Sequence, residues 1–174
     1  MTDWQSIVAA HSAVVWRTVY RLLGNHQDAA DCFQETFLSA LGVARRHTVR
    51  SWPAMLSCLA TARALDRVRQ RMRDSARSAD VAELASAASP EPGPEQEAET
   101  AELVRMFREL VVQLPDRQAQ VFCLRYVSEM SYREIAREIG LKTSDVGVLL
   151  HRTHARLREL MESAGGQCGL EVTP

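Results

Sequence analysis

The sequence predicts an all-α protein: two small helical domains joined by a flexible acidic linker. Three observations carry that reading. Apolar residues recur at helix spacing in segment after segment, and no stretch keeps the two-residue alternation of a half-buried strand. Charge is segregated: residues 1–73 carry a net +5, residues 74–102 a net −7 and residues 103–174 a net +1, within a total of −1. Between the two blocks lies "SADVAELASAASPEPGPEQEAET", where Pro90, Pro92 and Pro94 oppose a helix and the composition offers little to bury. The expected units are residues 1–74, a linker over 75–99 with at most a helical turn near Val81–Leu84, a second domain over 100–164 and a disordered tail over 165–174.

In the first block, Ile7, Val8, His11, Val14, Val15, Thr18, Val19 and Leu22 follow helix spacing, and Gly24 ends that helix. A second helix is expected from about Asp28, burying Ala30, Phe33, Phe37 and Leu41. A third starts at Ser51 with Pro53 in its first turn and an apolar set of Met55, Cys58, Leu59, Ala62, Leu65, Val68 and Met72. In the second block, Ala98 to Gln113 is amphipathic and Pro115 breaks it. Asp116 to Val127 forms a helix around Val121, Phe122, Leu124 and Tyr126. Ser131 with Glu134 three residues on makes a capping box, Gly140 closes that short helix, and the last helix runs from about Thr143 to Ser163.

Composition bounds the function. Apolar residues make up 46% and charged residues 25%, a globular balance. No run approaches the roughly 18 apolar residues of a membrane span, and the N-terminus has an early acid and no basic start, unlike a secretory signal. Cys32, Cys58, Cys123 and Cys168 form no CxxC pair and read as reduced cytoplasmic thiols. His151 and His154 share a helix face, but no third ligand suggests a metal site. There is no Gly-rich phosphate loop, no HExxH and no nucleophile with a placed base, so neither an enzyme nor a cofactor is expected.

The strongest constellation is a helix-turn-helix. Ile135, Ala136 and Ile139 bury the first helix, and Gly140 gives the turn. Val146, Leu150, Thr153 and Leu157 form the stripe that holds the second helix down. Ser144, Asp145, Val148, Leu149 and Arg152 then face outward. In the first block, Arg63, Arg67 and Arg71 recur at i+4 spacing, a stripe suited to phosphates, while Asp31, Gln34, Glu35 and Leu38 share one face of the second helix.

"LPDRQAQVFCLRYVSEMSYREIAREIGLKTSDVGVLLHRTHARLREL" resembles region 4 of the sigma-70 family, in its extracytoplasmic-function (ECF) group. "RLLGNHQDAADCFQETFLSAL" and "LATARALDRVRQRMR" resemble region 2 of the same group, in the right order around the linker. The resemblance implies a transcription initiation factor that binds core RNA polymerase through the β′ clamp helices and the β flap. Its first domain would melt the promoter −10 element, its second would read the −35 element, and an anti-sigma factor would regulate it. Carried onto this chain, Asp31, Gln34, Glu35 and Leu38 would dock on polymerase. Arg45, Arg46, His47, Arg50 and Trp52, in the loop that captures a flipped base, would meet −10 DNA together with the Arg63/Arg67/Arg71 stripe. Lys142, Thr143, Ser144, Asp145, Val148, Leu149, Arg152 and Arg156 would face the −35 duplex.

The chain departs from the group's pattern. Many relatives have Trp at the position of Met55 and Asn at that of Ala62. Where they commonly run Thr-Val-Lys-Ser-Arg-Leu, this chain has Asp145, Val146, Gly147, Val148, Leu149 and Leu150, so both cations are gone. Two other readings follow: a helix-turn-helix regulator acting on duplex DNA without polymerase, and a sigma-like decoy whose apolar second domain sequesters an anti-sigma factor.

Overall fold

The computed structural model describes residues 3–79 and 95–165. These form seven helices: α1 (Trp4–Leu23), α2 (His26–Arg46), α3 (Trp52–Ala79), α4 (Glu95–Val112), α5 (Asp116–Tyr126), α6 (Tyr132–Ile139) and α7 (Thr143–Gly165). Among the described residues there is no strand. Asp3 caps α1 by accepting from the amides of Gln5 and Ser6, and Gly24 ends it in the left-handed region at φ 71°. Asn25 caps α2 in the same way through the Asp28 amide.

Both edges of the expected linker are helical. α3 runs on to Ala79, through "DSARSA", which contains neither Gly nor Pro, and α4 begins at Glu95 directly after Pro94. The expected turn near Val81–Leu84 and nearly all of the expected tail lie outside the described residues.

α2 turns a different face inward from the one its aromatics suggest. The buried positions are Ala29, Cys32, Thr36 and Ala40, not Ala30, Phe33, Phe37 and Leu41. Small side chains let the α2 backbone approach its neighbours closely. The two rings instead lie half-buried at the margin, 5.0 Å apart, with Trp16 edge-on to Phe33. Thr36 costs little there because its hydroxyl donates to the Cys32 carbonyl at 2.7 Å.

α3 is the central helix, which explains why one amphipathic stripe described it poorly. Beyond Leu65 and Val68, it buries Ala54, Leu56, Ser57, Ala60, Thr61 and Ala64, whereas Met72 is exposed. α1 and α2 cover one side; α5 and α6 cover another. The two sequence blocks therefore share a core: Val111, Leu114, Ala119 and Cys123 pack in one cluster with Leu22, Leu23, Leu65 and Val68. A second cluster sits inside the helix-turn-helix, where Val121, Leu124, Met130, Ile135, Ala136, Val146 and Leu150 meet Ala54 of α3. Each fully buried aliphatic side chain contributes about 1.5–3 kcal/mol.

Candidate nucleic-acid interface

The loop between α2 and α3 opens onto a shallow cleft of about 440 Å³ lined by Ala44, Arg45, Arg46, His47, Thr48, Val49 and Trp52. It exists because α2 ends at Arg46, the next residue His47 takes extended backbone, and α3 starts at Trp52, with Ser51 accepting from the Ala54 amide. Arg45, Arg46, His47 and Arg50 are exposed around it. Arg46 is steadied by donating Nε to the Gly42 carbonyl at 3.1 Å. Trp52 is half-buried and edge-on to Trp4, with centroids 5.3 Å apart, so one part of its ring anchors the start of α3 while the rest borders the cleft.

The Arg63/Arg67/Arg71 stripe does not stand free. Arg63 reaches Glu35 at 3.4 Å, Arg67 reaches Glu35 at 3.5 Å and Asp31 at 4.0 Å, and Arg71 reaches Asp28 at 2.8 Å. Arg63 also donates to the Ser39 hydroxyl at 2.6 Å. The docking face of α2 and the cationic stripe of α3 are thus neighbours, and two of the four docking residues sit in ion pairs. Asp31 and Glu35 keep 45% side-chain exposure, while Gln34 and Leu38 are exposed, Leu38 at 68%.

The helix-turn-helix is built as its sequence predicts. Ser131 and Glu134 form a reciprocal capping box, and the hydroxyl and amide of Ser131 hold the Glu134 carboxyl below the usual carboxylate range. Gly140 turns the chain at φ 69° with open space around it. Arg117 donates to the Ile139 carbonyl at 3.3 Å, satisfying one acceptor at the end of α6. At the start of α7, Lys142, Thr143, Ser144, Asp145 and Val148 are exposed, as are Arg152 and Arg156 further along. Leu149 is half-buried against the helix-turn-helix core and does not face fully outward. Gly147 has room: a Cβ there would meet only the Tyr132 ring, at an ordinary 3.8 Å.

Sequence reasoning passed over Arg125 and Tyr132. The Arg125 guanidinium lies 5.8 Å from the Tyr132 ring and 6.0 Å from that of Tyr126, and it donates to the Met130 carbonyl at 3.3 Å. That places a half-exposed cation and a ring beside the first turns of α6 and α7. No local spacing links the two residues, because a turn brings them together. His154 is exposed and meets the Tyr126 hydroxyl at 2.9 Å. No cluster of three His, Cys, Asp or Glu suited to a metal occurs among the described residues.

The family model for sigma-70 region 2 matches residues 7–74, and that for sigma-70 region 4 matches residues 105–157. The chain belongs to the sigma-70 family, in its ECF group. Among its relatives are the ECF sigma factor SigE of Mycolicibacterium smegmatis, 29% identical over 92% of this chain, and SigW of Bacillus subtilis, 27% identical over 88%. SigD of Mycobacterium tuberculosis is 34% identical over 79% of the chain. The chain spans 62% of SigE, 65% of SigD and 86% of SigW. Two solved structures share the fold: CnrH in complex with the cytosolic domain of CnrY, and the sigma factor RpoE in complex with the anti-sigma factor NepR from Bartonella quintana. Their TM-scores are 0.58 and 0.55, each at 19% identity, over 92% and 93% of this chain and 88% and 98% of theirs. In sigma-family terms, the α2–α3 loop and the α2 face belong to region 2, and the α6–α7 turn belongs to region 4.

Proposed function

We propose that this chain is a promoter-specificity factor: it binds core RNA polymerase and directs initiation in the cytoplasm, acting by binding and without catalysis. The observation that carries this is the coexistence on one chain of a sigma-70 region 2, with the acidic and apolar α2 face proposed for docking, and a region 4 with an intact helix-turn-helix. A free-standing duplex-binding regulator would have no use for the former. Asp31, Gln34, Glu35 and Leu38 would meet the β′ clamp helices, with Leu38 the apolar centre of a polar patch. The β flap would take region 4. Arg45, Arg46, His47, Arg50 and Trp52 would take the opened −10 strand in the cleft, cations on the backbone and the indole edge beside a base.

On the −35 duplex, α7 would enter the major groove with Lys142 and Arg152 on phosphates. Val148 would lie against thymine methyls, and Asp145 would accept from a cytosine amino group. An anti-sigma factor is proposed as regulator, since the two solved structures named above are complexes with a second protein and one of those is an anti-sigma factor. The test is reconstitution with bacterial core polymerase and mapping of run-off transcripts on genomic DNA. Discrete start sites are expected, and duplex binding with no core-dependent start would overturn the proposal. No helix among the described residues is long and apolar enough to cross a membrane.

A further inference from the structure

The polar side chains around the α2–α3 cleft can all donate a hydrogen bond. They are the Arg45 and Arg46 guanidiniums, the His47 ring and the Thr48 hydroxyl, and from Gly42 to Ala54 the chain has no Asp, Glu, Asn or Gln. Asp3, next to Trp4, is committed elsewhere: its carboxylate accepts from the amides of Gln5 and Ser6 and from the Ser6 hydroxyl. The two arginines on the rim are not equally free. Arg46 donates Nε to the Gly42 carbonyl at 3.1 Å, which draws its guanidinium back along the last turn of α2. Arg45 is exposed and has no such tie among the described residues. Val49 and Trp52, both half-buried, give the cleft its apolar wall. Trp4 meets the Trp52 ring edge-on at 5.3 Å, so that wall is held in place from the protein side. The volume of about 440 Å³ lies within the roughly 300–1,000 Å³ of small-ligand pockets.

A cleft lined by donors discriminates among bases. A guanidinium presents two parallel N–H groups in one plane and fits two acceptors that stand side by side. Unpaired guanine has such a pair in O6 and N7, the edge that arginine reads in duplex DNA. Unpaired cytosine has one in N3 and O2. Adenine and thymine have none: the amino group of adenine stands beside N7 and N1, and the N3–H of thymine separates its two carbonyls. Adenine suits a side-chain amide, which donates and accepts, and the α2–α3 loop contains no such residue. Resting on the promoter reading above, we infer that the cleft selects the base it takes from the opened −10 strand. Arg45 forks onto the adjacent acceptors of one guanine or cytosine lying against Trp52, while Arg46 and Arg50 hold the neighbouring phosphates. The bond that ties Arg46 back to Gly42 is what separates the two roles.

The test offers the full chain, alone and bound to core polymerase, a short single strand of abasic positions with one central base. By fluorescence anisotropy, guanine or cytosine should bind tighter than adenine and thymine by about fivefold or more, the low end for a bidentate contact. The tighter of the two names the edge that is read. Where guanine leads, 7-deazaguanine, which lacks N7, should fall to the adenine level; binding as tight as guanine would overturn the fork. Arg45→Gln should move the preference to adenine, which a merely structural role for Arg45 would not do. Arg46→Gln should weaken all four strands alike. Equal affinities with and without core, an order led by adenine or thymine, or a preference that survives Arg45→Gln would each overturn the inference. The promoter reading fails separately. A chain that never initiates with core yet prefers guanine or cytosine keeps a base-selective cleft and loses the promoter role. Discrete start sites with equal affinities keep the promoter role and remove selection by Arg45.

Discussion

Glu35 of α2 and Arg67 of α3 face each other at 3.5 Å, in the middle of a ladder that also joins Arg63 to Glu35 and Arg71 to Asp28. The ladder couples the surface proposed for polymerase to the cationic stripe that the sequence resemblance assigned to DNA. Glu35→Arg would therefore do two things: remove an acid from the docking face and set three cations together. We expect loss of core binding and a stability loss of about 1 kcal/mol, the modest scale of half-exposed pairs. The swap Glu35→Arg with Arg67→Glu should regain the stability but not the binding, as read by thermal melts and by fluorescence anisotropy with core. Core affinity unchanged in both variants would remove the α2 face from the docking surface.

The cations should divide into two classes. Arg46 and Arg50 are exposed beside the cleft, and neither belongs to an ion pair among the described residues. Each Arg→Ala there should lower the slope of log affinity against log salt by about one for promoter complexes. Arg67→Ala should leave the slope near wild type and instead cost up to about 1 kcal/mol in stability, because its partners are Asp31 and Glu35. A slope that falls equally for all three would show that the ladder opens to DNA.

Gly147 is the most informative position in α7. It lies within a helix, has ordinary φ, and leaves space for a side chain next to Tyr132. Nothing in the packing requires a glycine there. Gly147→Lys should stabilise the protein by about 0.5–1 kcal/mol through helix propensity. If α7 enters the −35 groove, the same change should tighten duplex binding and steepen the salt slope by about one. Tighter packing without a change in DNA affinity would place this face against a protein. Leu149→Arg is the wrong probe, since Leu149 packs on the helix-turn-helix core and the charge would unsettle the fold itself.

Gly24→Ala should cost about 1–2 kcal/mol from the left-handed conformation alone. It should also displace the Arg108 guanidinium from the end of α1. Thermal melts of Gly24→Ala, Arg108→Ala and the double variant test this. The costs should be less than additive, because both changes remove the same cap. Full additivity would show that the two residues act separately.

Stability should fall in alkali. Burial pushes the thiol of Cys32 up to about 11 and those of Cys58 and Cys123 up to about 12, with the Glu35 and Glu138 carboxylates adding to the first two. A folded-state pKa raised above the unfolded value means that the folded chain holds its protons longer. Stability is then intact below about pH 9 and drains away as pH rises toward 11–12. Melting points from pH 8 to 11 should decline more gently in Cys123→Ala than in wild type, whatever the constant offset. Parallel curves would argue that the thiols do not drive the loss.

The sequence by itself determined the helices, the order of the two blocks and the helix-turn-helix. Those features rest on local signals: helix-period apolar spacing, the Ser131/Glu134 box, and glycines at positions 24 and 140 that the chain holds at positive φ. The candidate surfaces were legible as motifs for the same reason. The tertiary structure decided which faces are buried. Sequence favoured Phe33 and Phe37 as the inner face of α2, yet close approach of three helices needs small residues, so Ala29, Cys32, Thr36 and Ala40 went inside. α3 became central, and its arginines found partners on α2 that lie 28 to 43 residues away along the chain. The closure of one block on the other was equally invisible. It depends on Arg108, Arg69 and Ser128 meeting carbonyls and hydroxyls far along the chain, and no spacing in a linear pattern records a partner that only folding brings near.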